Sequence, residues 1–325
     1  WTMNSSDLKT VTREKSWNSS KSEYTELMQV KNGTGVVVYQ ETTKNIKFPF
    51  GSMIEEKTIG TGDNAPKTWY TYHTDSSQNG SYGKLASERH SSGMWKKYFY
   101  DGQGRTTMIV SPFKNQSFNA TQSDAKVEYF IYSPVDPKDV PYVGDPRPRV
   151  EETKIGGITV KKEYFAYFTE SNGEYVEVHE RCQNETAEYG NASNIRTETR
   201  YYASNADQAS AGRLKSIRKP DGKLDTYTYE YGNFTTNTNP GNSTFTATEN
   251  GYALKTSVIH GIWENSNGVA NQSTKDEYIS DQYGNQVMTK TYVCTNDSSP
   301  TYELFFWSFA TYNPEHKDLN TYNSR

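Results

Sequence analysis

Two cysteines, Cys182 and Cys294, are too few for a disulfide framework. They leave two arrangements open, one long-range disulfide or two free thiols. No CxxC spacing and no Cys/His cluster occurs, so no metal site is expected. Histidine is scarce as well. His73, His90, His179, His260 and His316 stand in no HExxH or i,i+4 pairing. His179 and Cys182 invite comparison with a catalytic dyad, but three residues along a strand place them on opposite faces. No GxSxG elbow is present, and Gly60-Thr61-Gly62 lacks the lysine and helix of a phosphate cradle. The neighbouring acids Glu55-Glu56 and Glu151-Glu152 diverge on strands and make no acid/base pair. No catalytic residue and no cofactor is assigned, and a non-enzymatic role is expected.

Long apolar runs are also missing. Nothing approaches the ~20 residues a membrane-spanning helix needs. The longest clusters, Gly35-Val36-Val37-Val38-Tyr39 and Leu304-Phe305-Phe306-Trp307, are strand length. Basic and acidic residues, 35 and 39, are mixed along the chain without a Lys/Arg block. That argues against nucleic acid as a partner and against a polybasic membrane anchor. The chain opens on Trp1 without a signal-like apolar segment, and reads as a piece of something longer.

What is present points to β-structure. The apolar fraction is 33% and mean hydropathy is −0.93, values that on their own suggest disorder. Aromatic residues, however, reach 14%, with 26 Tyr, 13 Phe and 6 Trp. Disordered chains are poor in aromatics, and Tyr and Thr suit a pleated, half-buried surface. A folded all-β protein with a thin, Tyr-rich core is expected.

Alternating polar and apolar runs, broken by Gly and Asp, recur along the chain. Arg149–Ile155 and Ile158–Phe168 meet at Gly156-Gly157, the signature of a tight hairpin. Lys84–His90 leads through Ser91-Ser92-Gly93 into Met94–Tyr100, then a turn at Asp101-Gly102-Gln103-Gly104 before Arg105. Gly212–Arg218 turns at Pro220-Asp221-Gly222 and returns through Tyr227-Thr228-Tyr229 to Tyr231, with Gly232-Asn233 closing the unit. A weaker copy runs through Glu277–Ser280, Asp281-Gln282-Tyr283-Gly284-Asn285 and Gln286–Val293. Hairpins repeated in this way stack on neighbours to bury a shared face.

These strings resemble the YD repeat of RHS proteins, in which a Tyr-x-Tyr-Asp strand end meets a turn ending in Gly-Arg or Gly-Asn. The motif residues are Tyr98, Tyr100, Asp101, Gly104 and Arg105, and Gly212, Arg213, Asp221, Gly222, Tyr227, Tyr229 and Gly232. The resemblance implies repetitive antiparallel hairpins winding into an extended, spiralling or shell-like sheet. It covers 81–293, with 1–80 a β-rich leading segment and 294–325 a terminal strand and tail. Asp carboxylates are expected to accept turn N–H groups, and Arg to lie over a Tyr ring or pair with an acid. The DPxG-type motif that ends an RHS core is absent, and Asp145-Pro146-Arg147-Pro148 does not match it.

Asn-x-Ser/Thr sequons occur at Asn4, Asn18, Asn32, Asn79, Asn115, Asn119, Asn184, Asn191, Asn233, Asn242, Asn271 and Asn296. Chance would give roughly half as many, so an exposed and glycosylated surface competes with simple turn chemistry. Turn chemistry also accounts for the Asp281–Asn285 cluster, whose spacing fits no Ca²⁺ loop. The expectation is a structural segment of a large secreted or cell-surface protein, partnered by neighbouring repeats of the same polypeptide. A carbohydrate-binding adhesin, using exposed aromatic rings and meeting glycans or other surface proteins, is the alternative. Part of a toxin-encapsulating shell is the third reading.

Overall fold

Strands form where β-branched and aromatic residues alternate with polar ones, and many end at a turn in which a glycine takes positive φ. The computed structural model describes residues 10–263, 273–296, 299–312 and 319–324. Among the described residues the one helical segment is the 3₁₀ turn Pro240–Asn242. Among the described residues no helix is long and apolar enough to cross a membrane. The sequence-based expectation of an all-β chain built from antiparallel hairpins is met.

Two compact units divide the chain: 1–133 with 142–162, and 134–141 with 163–325. This division falls inside the span read as one repeat array, not at residues 80 or 293. Unit one carries β1 (Thr10–Trp17), β2 (Glu23–Lys31), β3 (Val37–Phe48), β4 (Gly51–Ile59) and β5 (Lys67–Tyr72). It continues with β6 (Leu85–His90), β7 (Trp95–Tyr100), β8 (Thr106–Ser111), β9 (Lys126–Ile131) and β10 (Val150–Ile155). Each strand pairs antiparallel with the next, so the unit is a ten-stranded meander.

β11 (Ile158–Thr169) follows β10 across Gly156-Gly157, whose φ values of 58° and 77° give the expected primed turn. Unit two goes on through β12 (Tyr175–Arg181), β13 (Ile195–Tyr201), β14 (Leu214–Arg218) and β15 (Lys223–Thr235). Then come β16 (Thr244–Ala247), β17 (Ala253–Trp263), β18 (Thr274–Ser280), β19 (Gln286–Cys294), β20 (Tyr302–Tyr312) and β21 (Leu319–Ser324). Order is again sequential, except that β15 pairs β17 along 223–232 and β16 along 232–235.

Gly232 departs from the sequence reading. It closes no turn; β15 runs through it to Thr235. A Cβ there would sit 2.4 Å from the Thr246 carbonyl oxygen, and one on Gly251 would sit 2.2 Å from Gly232 Cα. These glycines let two backbones touch, which is a different use from a turn.

The core is thin but not rich in tyrosine. Unit one buries Trp95, Val110, Ala125 and Val127, covered by Phe118 and Ala120 from the 112–125 loop. Unit two buries Ala166, Phe168, Val176 and Val178, with Val135 and Tyr189 over them, and separately Ala253, Ile279, Met288 and Phe309. The loops act as the second layer that a single sheet otherwise lacks. Most described tyrosines are half-buried, and several at or just beyond strand ends, among them Tyr72, Tyr100, Tyr132 and Tyr312, pack the ring while the hydroxyl reaches a backbone carbonyl.

Candidate functional site

The repeat is built from one turn used many times. At 32–36, 90–94, 101–105, 170–174, 219–223 and 281–285 the first residue's N–H donates to the fifth residue's carbonyl. The fourth residue, always glycine, donates its N–H to the first carbonyl. The glycine φ lies between 79° and 91° each time, a conformation that strains any side chain. This is a type I turn closed by a glycine bulge, matched to strand twist.

At two of these turns an aspartate leads. Asp101 Oδ1 accepts from the Gln103 and Arg105 N–H groups, and Oδ2 takes Arg105 Nε at 2.7 Å. Burial alone would raise the Asp101 pKa, but Arg105 and these N–H donors hold it below the ordinary value of 3.8. The Arg105 guanidinium also lies 4.1 Å from the centre of the Tyr132 ring. It therefore does both things the sequence offered as alternatives. Asp281 repeats the pattern, accepting from Tyr283 and Asn285 N–H and from Asn285 Nδ2. Asp221 does not. It sits third in its turn and takes only Lys223, through its N–H and its ammonium. The copy ranked weaker in sequence is thus the closer structural match to Asp101.

Two spacings relate the copies. At 129 residues, Tyr100 and Tyr229 each donate a hydroxyl hydrogen bond of 2.9 Å, to the Leu85 and Leu214 carbonyls. Lys84 and Arg213 lie over those rings, at 5.1 and 5.4 Å. His73 and Tyr202 meet them edge-on and reach the Tyr98 and Tyr227 carbonyls. Strand registers coincide too: Thr71↔Ser87 and Ser87↔Lys97 answer to Arg200↔Ser216 and Ser216↔Thr226. At 180 residues, Tyr132 and Tyr312 donate to the Thr106 and Gln286 carbonyls, with matching β7–β8 and β18–β19 registers. Tyr98 and Tyr227, like Tyr100 and Tyr229, are half-buried and none is splayed into solvent. Burial raises the Tyr98 pKa, and its bond to Glu88 raises it further.

One groove stands apart from this framework. It has a volume of about 670 Å³ in unit one. Its floor is a cross-strand row, Trp69 on β5, Arg89 on β6 and Trp95 on β7. Trp95 is 1% exposed, and its Nε1 donates to the Gln116 carbonyl at 3.0 Å, pinning the 112–125 loop over the row. Phe118 from that loop packs edge-on against Trp95 at 5.7 Å. Lys114 stands on the rim with φ 60°, a left-handed conformation costing a non-glycine residue roughly 1 kcal/mol. Sequence reading missed this site because Phe118 comes from a loop and the row appears only once register is known.

Other expectations resolve simply. Cys182 and Cys294 are not joined in a disulfide; their thiols contact the Ala187 and Asn296 carbonyls. His179 stacks on Phe165 and faces Glu163 at 3.6 Å. Among the sequons, Asn4 and Asn271 lie outside the described residues. Asn79, Asn115, Asn119, Asn184, Asn191, Asn233, Asn242 and Asn296 are exposed. In Asn32 and Asn191 the side-chain oxygen accepts both the N–H and the hydroxyl of the sequon Thr or Ser. Asn184 takes the Thr186 hydroxyl, and Asn18 caps Ser22 and Glu23. Asx-turn chemistry therefore explains part of the sequon excess.

No protein-family model matches the chain, and no curated protein does. Among solved structures it is similar to a porin-like protein from Bacteroides uniformis, 11% identical. The match covers 91% of this chain and 93% of that one, with a TM-score of 0.26. A likeness at that level carries no argument about function.

Proposed function

We propose that this chain is a non-catalytic structural segment of a large secreted or cell-surface protein, a YD-type β-scaffold made of stacked hairpins. The observation that carries the reading is the tyrosine clamp repeated at 129 residues, with ring, cation, edge-on partner and register all preserved. A device kept in such detail serves the frame itself, since its polar atoms are consumed by backbone carbonyls. Neighbouring repeats of the same polypeptide are the natural partners. Surface labelling of intact cells that make the protein should recover peptides from this chain. Recovery only after lysis, or hydrolytic turnover on polysaccharide or peptide pools, would overturn the reading.

A second reading, a carbohydrate-binding module, is favoured by the groove at Trp69, Arg89 and Phe118. Aromatic rings at the edge of a rigid sheet, with amide and hydroxyl groups around them, suit sugar rings.

A further inference from the structure

The 129-residue correspondence shows what is unusual about the groove. In unit two the row is Glu198, Arg218 and Leu224, so a carboxylate lies opposite the arginine. In unit one the same positions hold Trp69, Arg89 and Trp95. The cation is kept, and the acid directly opposite it is replaced by tryptophan.

The Arg89 guanidinium lies 5.1 Å from the centre of the Trp69 ring and 5.9 Å from that of Phe118. Lys97 Nζ approaches the same Phe118 ring at 4.5 Å and Trp95 at 5.3 Å. Two cations therefore converge on one ring, and among the described residues neither forms a salt bridge. The acid in the row, Glu56, stands opposite Trp69 and is bonded to Trp69 Nε1 and Lys67 Nζ. Like charges beside low-dielectric rings repel more strongly than in water, and an entering anion relieves that repulsion. Ser91, Ser92, Asn115 and Gln116 border the groove with hydroxyl and amide groups. Its volume falls within the range of small-ligand sites.

We propose that this groove binds an acidic saccharide, a sugar ring bearing carboxylate or sulfate. Arg89, which lines the groove, holds the anionic group; Lys97, which touches the Phe118 and Trp95 rings but does not line the groove, adds its field. Phe118 and Trp69 flank the ring, and the amides and hydroxyls of the rim take its hydroxyls. The proposal rests on the carbohydrate reading of the groove. A single-stranded nucleic acid also stacks on aromatic rings, but it needs a basic track along its backbone. With 35 basic and 39 acidic residues intermixed, the chain offers no such track.

Titration calorimetry on the full chain tests this with four probes: an oligogalacturonate, a heparin-derived tetrasaccharide, a neutral galactan oligomer and an oligothymidylate. At least one acidic saccharide should bind about tenfold more tightly than the neutral oligomer, and more weakly as salt rises. Arg89→Gln should lower that affinity about tenfold, the size of one lost charge-assisted hydrogen bond, and Lys97→Gln, which removes only a nearby charge, about threefold. Lys47→Gln, an exposed position outside the groove with the same change in net charge, should leave it within about twofold. All three substitutions lie on exposed or half-buried side chains, and circular dichroism verifies folding. Equal binding of neutral and acidic sugars would overturn the anion assignment while sustaining the carbohydrate reading. Binding of neither sinks both, tighter binding of oligothymidylate replaces sugar by nucleic acid, and loss of binding in Lys47→Gln equal to Arg89→Gln removes the site.

Discussion

Replacing Tyr229 by Phe deletes one oxygen and leaves everything else in the clamp. The ring still meets Tyr202 edge-on at 6.3 Å and still lies under Arg213. Only the 2.9 Å bond to the Leu214 carbonyl is lost. A neutral hydrogen bond of this kind contributes a net ~1 kcal/mol, because water replaces it in the unfolded chain. Tyr100→Phe removes the same bond to Leu85 from the same geometry, so the two variants should lose equal stability within about 0.5 kcal/mol. Urea unfolding followed by far-UV circular dichroism reads this as a lower midpoint at unchanged slope. Tyr142→Phe supplies the control: Tyr142 is 64% exposed, and its substitution should cost less than about 0.5 kcal/mol. If Tyr100→Phe and Tyr229→Phe were indistinguishable from Tyr142→Phe, the clamp would be packing alone and the structural argument for a repeated unit would fail. Unequal losses, one near zero and one near ~1 kcal/mol, would show that the 129-residue equivalence is geometric but not energetic.

Acid stability follows from two aspartates. Asp145, 1% exposed, is bonded to Arg147 and Arg149, and Asp101 is held by Arg105, so both titrate below the ordinary 3.8. The folded state then binds fewer protons than the unfolded one; their stabilisation is complete above about pH 4 and lost as pH falls through the lower folded values. Urea midpoints should fall steadily below about pH 4, and Asp145→Asn should lose about 3–5 kcal/mol at neutral pH because Arg147 and Arg149 lose their carboxylate. Gly251→Ala, with its Cβ 2.2 Å from Gly232 Cα, should cost at least about 1–3 kcal/mol in the same assay, whereas Gly102→Ala, where a Cβ meets nothing within 4 Å, should be nearly silent. Asn285→Arg should stabilise by about 0.5–1 kcal/mol, since it recreates beside Asp281 and Tyr312 the arginine that Arg105 places on Asp101 and Tyr132; a loss of stability would break the 180-residue equivalence.

Much of this architecture was legible because glycine and aspartate punctuate it. Gly93, Gly104, Gly222 and Gly284 each mark the turn they were expected to mark, since positive φ leaves few alternatives. Gly232 was misread because a glycine needed for close approach looks, in one dimension, like a glycine needed for a turn. The ranking of the copies also inverted. Asp221 scored as a motif residue by proximity to Gly222, yet its place in the turn differs from that of Asp101, while Asp281 shares it. Tyrosine count suggested a tyrosine core, but a phenol hydroxyl needs a partner, and strand-end carbonyls provide one at the margin rather than inside. The groove was invisible because cross-strand neighbours are set by register, which sequence alone specifies weakly.

Register itself is fixed in unit two by charge as much as by apolar pattern. Along β12 the buried positions are Val176, Val178 and Glu180, facing Arg200, Glu198 and Arg196 on β13. Glu180, with no exposed surface, takes Arg196 at 2.5 Å and also the Gly190 N–H and Asn194 Nδ2. Glu198 takes Arg200 and Arg196, and Glu174 joins Arg200 to Lys215. Desolvating such groups offsets most of what their attraction returns, so the ladder adds little net stability. Its effect lies in what it forbids. A slip of one residue turns Val176 and Val178 to the other face. A slip of two restores the face but sets Glu180 against Glu198 in one direction and against Asn194 in the other, leaving a fully buried carboxylate without its arginine. A sheet with one-third apolar residues cannot rely on core shape to choose among registers. Paired charges on the buried face make that choice, and the low hydropathy that first suggested disorder is the composition such a mechanism requires.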